Sequence, residues 1–446
     1  MSTHATEPAH DPALGSHSSA TQTYPRIVAR TIKIPARDES LDALVRLLPH
    51  QAPLAWVRRG EGIVGWGEIA RFDTSGASRF TDAMQAWNTI REHAIVRDEV
   101  SVPGSGPVAF GSFAFAQESA ASSVLIVPQF VVGRRADAWW FTVMTTVEEP
   151  FATTPTLDEL VAQHQPITSP GQVDFETGAL TGEQWQEVVA DAVHRIRNDE
   201  LEKIVLARDV IGTSEQPIDV RHVLSNLVDS YENCWTFSVD GMIGATPELL
   251  VRTEKGLVTS RVLAGTIQRT GDDETDTARA AVLAHSSKDL EEHEYAVRSV
   301  ADALRPYCSS LNVPETPFVL HLPNVLHLAS DVAAVVDTHA GATSLSLAAA
   351  LHPTAAVCGT PTDLAAQLIL DIENMDRSRY AGPVGWVGAD GDGEWGIALR
   401  SAELCQDNPN TIRLFAGCGI VAASNPADEL AETFAKLRPM TSAVQA

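Results

Sequence analysis

The stretch LEKIVLARDV, residues 201–210, sets one lysine at the mouth of an otherwise apolar, β-like run. In a strand, alternate side chains face opposite ways, so Lys203 shares a face with Val205 and Ala207, while Ile204, Leu206 and Arg208 point the other way. An edge lysine that blunts strand pairing is one reading. An amine held where losing its proton becomes easy is the other. Just upstream, TGEQWQEVVADAVHRIRNDE opens with a capping box from Thr181 to Gln184, and Trp185, Val188, Val189, Ala192, Val193 and Ile196 recur at helical spacing. Downstream, CWTFSVDGMIGATPELLVRTE and GLVTSRVLAGT are short β-like runs. KDLEEHEYAVRSVADALRPY is a long helix with Leu290, Val297, Val300 and Leu304 on one stripe. After LHPTAAVCGTP a helix is expected to start at a Thr360 cap with Pro361 in its first turn. GPVGWVGADGDGEWGIALRS reads as a hairpin, RLFAGCGIVAAS as a last strand, and NPADELAETFAKL as a last helix capped at Asn425.

Nearer the N-terminus, from about Pro25 to Thr146, the pattern is mostly strand-like; SSVLIVPQFVVGRRADAWWFTVMT is broken by a turn signal at RRAD. Residues 148–172 read as a connection with one short helix around TLDELVAQH. Nothing repeats at a fixed period. The pattern predicts a mixed α/β or α+β fold with a large antiparallel sheet. Residues 1–23 are polar and small and are expected to form a disordered tail.

A chain of 446 residues with 44% hydrophobic residues can bury a sizeable core. Its net charge of −26 argues against nucleic acid or an anionic membrane as partner. An anionic substrate would then need local cationic help, from a metal ion or placed Lys and Arg. The cysteines (Cys234, Cys308, Cys358, Cys405, Cys418) form no CxxC pair, so neither a disulfide framework nor a zinc site is indicated. No apolar run reaches the ~18 residues of a membrane span, and no signal-peptide layout opens the chain; the expected location is the cytoplasm.

Two helices carry acids at i, i+3: Asp289 with Glu292, and Glu429 with Glu432. Each pair shares a helix face. If the two helices converge, four carboxylates make a hard-oxygen cage suited to Mg²⁺. A solvated acidic surface with a Glu432–Lys436 ion pair explains the same spacing. Glu248, in GATPELLVRT, reads by itself as a surface residue beside a turn; with Lys203 it would complete an acid–base couple.

Several further stretches now line up in order between residues 111 and 437: GSFAFA, EKIVLAR, GATPELLV, LAGT, KDLEEH, HPTAAVCGTP, RYAGPVGW, ALRSAEL, AGCGIV and ADELAETFAKL. Together they resemble the chorismate-utilising enzymes, which include isochorismate, salicylate, anthranilate and aminodeoxychorismate synthases. The resemblance implies one large α/β (α+β) domain like that of anthranilate synthase component I. Its many-stranded, mostly antiparallel sheet is folded on itself, with helices outside. That unit would span 24–446, with a β-rich part at 24–172 and a motif-bearing part at 173–446. It also implies Mg²⁺, with Glu292 and Glu432 as direct ligands and Asp289 and Glu429 acting through water; aspartate at 289 stands where glutamate is commoner. Tyr380 and Arg400 match residues that hold a substrate carboxylate, and Lys436 another anion contact. Gly265 and Thr266 of LAGT, and Gly417 and Gly419 of GCG, would bring backbone close to the ligand. His327 matches a histidine near the substrate, although by itself it reads equally as a packed core histidine.

Within this family, Lys203 matches the lysine that activates water in isochorismate and salicylate synthases. Ala264 stands where many aminodeoxychorismate synthases have a nucleophilic lysine. Ala356 occupies a position often threonine in anthranilate and salicylate synthases and alanine in isochorismate synthases. The expectation is therefore Mg²⁺-dependent conversion of chorismate to isochorismate, feeding menaquinone or siderophore synthesis. Lys203 would be the base toward water and Glu248 the acid toward the departing 4-hydroxyl. The alternatives are a salicylate synthase and an ammonia-using anthranilate synthase component I. No glutaminase subunit is expected, and the resemblance favours a monomer or weak dimer.

Overall fold

The lysine-bearing run forms the strand Lys203–Ser214, buried on both faces from Lys203 to Val210. One edge pairs antiparallel with the strand Thr411–Ile420, from Ile204 opposite Ile420 to Thr213 opposite Thr411. The other edge is shared. The strand Val173–Thr177 takes Val210 to Ser214, and the two-residue strand Gly359–Thr360 takes Lys203 and Ile204. Lys203 is interior, 2% exposed, so the edge-blunting reading fails.

This is a computed structural model describing residues 24–37, 40–149, 153–337 and 339–446. The tail expected at 1–23 lies outside the described residues. The expected α/β class holds, but the strands divide into two sheets rather than one. A 13-stranded sheet contains Lys203–Ser214, and a 10-stranded sheet contains Leu249–Glu254, Leu257–Gln268 and Val325–Val336. Pairing is antiparallel, apart from Ile27–Ile34 against Ile95–Asp98.

The inner faces of the sheets share one apolar core, with Trp56 and Phe237 from the larger and Val384 and Trp395 from the smaller. Helices cover the outside. Val220–Ser230 and Pro426–Gln445 press Val223, Leu227, Met440 and Val444 onto Ile243, Ala402 and Leu414. Each such side chain, fully buried, contributes about 1.5–3 kcal/mol. The expected capping box starts the helix Gly182–Arg197: Gln184 N donates to Thr181 Oγ1 at 3.2 Å and Thr181 N to Gln184 Oε1 at 2.9 Å. That helix buries Trp185, whose Nε1 donates to Ala207 O at 3.0 Å and ties it to the lysine strand.

Two expectations need correction, and one helix was not anticipated. The region read as mostly strand contains the helix Arg79–Glu92, which buries Phe80, Ala83, Ala86, Trp87 and Ile90 at helical spacing. The helix expected from a Thr360 cap begins at Thr362 with Pro361 as N-cap, because Thr360 is taken by pairing with Lys203. The helix Asp273–His285 gives little amphipathic signal, with only Asp276 and Leu283 buried.

Candidate active site

The LAGT stretch lies in the strand Leu257–Gln268, whose register against Val325–Val336 slips between Leu263 and Thr266. Such a bulge re-aims side chains, and Gly265 within it adopts φ +82°, which glycine reaches without Cβ strain. Past the slip, Thr266 stands opposite His327, with Thr266 Oγ1 at 3.0 Å from His327 Nδ1. Arg400 Nη2 donates to His327 Nε2 at 3.1 Å. Arginine can only donate, so Nε2 is the acceptor and Nδ1 carries the proton. Burial, reinforced by the charges of Arg400 and Lys436, pushes this imidazole well below its ordinary pKa. His327 is thus a neutral acceptor that aims the Arg400 fork. Nearby, Tyr380 stacks on Phe415 with ring centroids 5.0 Å apart. Burial pushes its phenol up to about 12, which keeps it a donor at neutral pH.

Glu248 sits where the chain leaves Thr246 to begin the strand Leu249–Glu254, and it is buried, not exposed beside a turn. Burial pushes its carboxyl up to about 8, against the Leu263 N–H and the charges of Lys203, Arg400 and Lys436. This acid holds its proton at neutral pH.

Lys203 Nζ lies 2.8 Å from Glu292 Oε1. Strand pairing sets Gly419 opposite Val205 and Gly417 opposite Ala207. A Cβ on Gly419 would stand 2.8 Å from Glu292 Oε1 and 3.0 Å from Lys203 Cε, so glycine there leaves room for the ion pair.

The acids come from two helix starts. Asp289 and Glu292 belong to Ser287–Leu304, Glu429 and Glu432 to Pro426–Gln445. Asp289 and Glu429 occupy first turns, where free backbone N–H groups favour a carboxylate. Lys436 Nζ pairs with Glu432 Oε1 at 2.6 Å and also donates to Gly417 O at 2.9 Å.

One cavity of about 110 Å³ is lined by Glu248, Gly265, Thr266, His327, Ala356, Tyr380, Arg400, Gly417, Gly419 and Lys436, and by Asp289, Glu292, Glu429 and Glu432. Of the site residues expected from the sequence, Lys203 alone is not in that lining; it reaches it through Glu292. The four acids therefore line one cavity from two helices, and the Glu432–Lys436 ion pair of the alternative reading is present beside them. Their chemistry, all hard carboxylate oxygen, fits a Mg²⁺ ion. As found, Glu292 and Glu432 are each held by a lysine. Among the described residues, no three acidic, His or Cys groups are gathered closely enough to hold a metal.

Sequence reading missed three residues here. Arg377 lines the cavity and is locked to Glu373 by a buried ion pair; the i, i+4 spacing in DIENMDRSRY was the available signal. His293 is buried, with Nδ1 3.2 Å from Ala264 O and Nε2 2.8 Å from Ser330 Oγ, and so supports the LAGT bulge from behind.

One cavity thus sets a buried carboxyl, raised to about 8, beside an arginine, a tyrosine hydroxyl and a lysine, a set of groups able to move protons and to donate to an anion. The sequence pattern of a family described as "Chorismate binding enzyme" matches residues 16–445, and the chain belongs to that family. It is 42% identical to isochorismate synthase DhbC of Bacillus subtilis over 273 residues, 59% of this chain and 68% of that one. It is 29% identical to isochorismate synthase MenF of the same organism, covering 86% of this chain and 85% of that one. Among solved structures, it resembles MenF, the menaquinone-specific isochorismate synthase of Escherichia coli. The TM-score is 0.76, with 25% identity and 95% of each chain covered. No helix among the described residues is long and apolar enough to cross a membrane.

Proposed function

We propose that the chain is an isochorismate synthase, which exchanges the 4-hydroxyl of chorismate for a hydroxyl at C2 taken from water. The observation that carries this reading is the burial of Glu248 in the wall of the cavity that Arg400, Tyr380 and Lys436 also line. A buried carboxyl that keeps its proton up to about pH 8 can protonate the departing oxygen. Arg400, Tyr380 and Lys436 offer donors for the substrate's carboxylates, with Arg400 supplying a fork that suits them. Ala264 brings no amine into the cavity for a covalent adduct. The named relatives, isochorismate synthases, support the same choice.

In this scheme Lys203, neutral once it has given up the proton it carries in the Glu292 ion pair, takes a proton from water as its oxygen bonds to C2. The ring double bonds shift, the C4–O bond breaks, and the Glu248 proton goes to the leaving oxygen. One water enters and one leaves. Lys203 ends with an extra proton and Glu248 without one, and exchange with solvent resets both. Because Glu292 holds Lys203 at 2.8 Å, water activation requires that contact to be exchanged. Asp289, Glu292, Glu429 and Glu432 would hold Mg²⁺, which when bound offsets the charge of the ring carboxylate and makes the ring easier to attack. With water as nucleophile, no glutaminase subunit is required. The product can feed menaquinone or catechol siderophore synthesis.

Chromatography after incubation with chorismate and Mg²⁺ tests the proposal. Isochorismate without pyruvate is expected. Salicylate with stoichiometric pyruvate would make the chain a salicylate synthase, and anthranilate formed from ammonium salts an ammonia-using synthase. No conversion at all would overturn the reading.

A further inference from the structure

The larger sheet has a gap beside the site. On one edge of Lys203–Ser214, strand partners stop at Ile204 and resume at Val210. Between them the backbone is satisfied by other means. Val205 N donates to Cys358 O at 2.7 Å. Val205 O accepts from Arg377 Nη2 at 2.8 Å, and Ala207 N donates to Glu373 Oε1 at 2.7 Å. Arg377 and Glu373 are 3% and 1% exposed in their side chains. They are joined by Nε–Oε2 at 2.8 Å and by a second contact, Nη2–Oε1. Arg377 Nη1 also reaches Val357 O at 2.9 Å, and its guanidinium lies over Phe115. A buried ion pair stands in for a length of strand.

Stability alone does not explain this choice, since well-packed apolar replacements of a buried ion pair are often as stable or more so. Geometry does. Arg377, Ala356 and Val357 line the cavity on this side, where another strand would intrude. The pair completes the ladder from a turn and leaves that space open. The two peptide groups it grips belong to Val205 and Ala207, which also line the cavity, and Lys203 is one pleat repeat beyond Val205.

We propose that Glu373 and Arg377 are positioning residues that fix the Val205–Ala207 backbone and, through it, hold the Lys203 amine at working distance from bound substrate. This rests on the reading of Lys203 as the group that activates water.

The test is the double variant Glu373→Leu/Arg377→Met in the full chain. It strands no buried charge, but Val205 O, Ala207 N and Val357 O lose their side-chain partners, so its melting midpoint should fall while the protein stays folded. The expected result is a kcat lower by about 100-fold, the scale of an ångström-level misplacement. KM for chorismate should be unchanged, and the Ala207 amide should exchange faster with deuterium. Arg377→Lys keeps the cation but loses the fork; it should show the same split between kcat and KM, and it carries the test if the double variant does not fold. Unchanged kcat in a folded variant overturns the inference. So does a loss of kcat that only tracks the melting midpoint. Failure of the wild type to make isochorismate sinks the function instead, while Ala207 exchange still reports on the gap.

Discussion

Replacing Glu248 by glutamine should make the protein more stable in alkali while it destroys turnover. In the unfolded chain this carboxyl ionises near its ordinary 4.5, and in the fold at about 8, because burial disfavours the anion. Between those values the folded protein holds a proton that the unfolded chain has released. Raising the pH therefore removes stability, by about 1.4 kcal/mol per unit of pH in that window. Across the roughly 3.5 units between 4.5 and 8, that amounts to about 5 kcal/mol as an upper bound, present below pH 4.5 and lost by pH 8. Glutamine keeps the shape and cannot ionise. Urea titrations of both proteins from pH 5 to pH 9 should show the stability difference swinging toward the variant as pH rises. The wild-type kcat should fall above about pH 8 as the donor loses its proton. A stability difference flat across the window would falsify the assignment of a buried, protonated Glu248.

Lys203→Ala should lower kcat by roughly 10²–10⁴-fold, the usual worth of a general base, with Mg²⁺-dependent chorismate binding still detectable by calorimetry; near-normal turnover refutes its role. Arg400→Lys loses the fork and the contact to His327, so KM should rise about tenfold to a hundredfold for a charged hydrogen bond worth about 1.5–3 kcal/mol, as steady-state kinetics will show. Gly419→Ala places a methyl 2.8 Å from Glu292 Oε1; circular dichroism should be unaltered while activity drops, and full activity would mean that the close fit at this glycine is unimportant. Chelation should abolish turnover and added Mg²⁺ restore it, with the melting curve little changed because the apolar core needs no metal.

Local signals in the sequence were strong wherever chemistry and periodicity agreed. The box at Thr181 and Gln184, the hairpin at 383–397 and the acids at i, i+3 were legible because each depends on neighbours within a turn or two of chain. The burial of Glu248 was not. Its surroundings come from Leu263, Arg400 and Lys436, residues brought in by a strand, a bend and a helix far along the chain. Thr360 illustrates a conflict of levels: its local preference was a helix cap, and a tertiary partner, Lys203, claimed it for a strand. Arg79–Glu92 was overlooked because Thr81, Asp82, Gln85 and Asn88 dilute the buried positions among polar ones. The division into two sheets depends on which edges meet, and alternation within a strand does not encode that.

The order of strands has a practical consequence for anyone shortening this chain. Trp235–Val239 takes Leu54–Arg58 as its neighbour in one sheet, and Pro383–Gly388 takes Val108–Ser112 in the other. A fragment beginning near residue 173 would keep every proposed reactive group, yet it would bare two buried strand edges at once. Such edges recruit strands from other molecules, so the fragment should be recovered as aggregate, and the first third of the chain is scaffold for chemistry it scarcely touches.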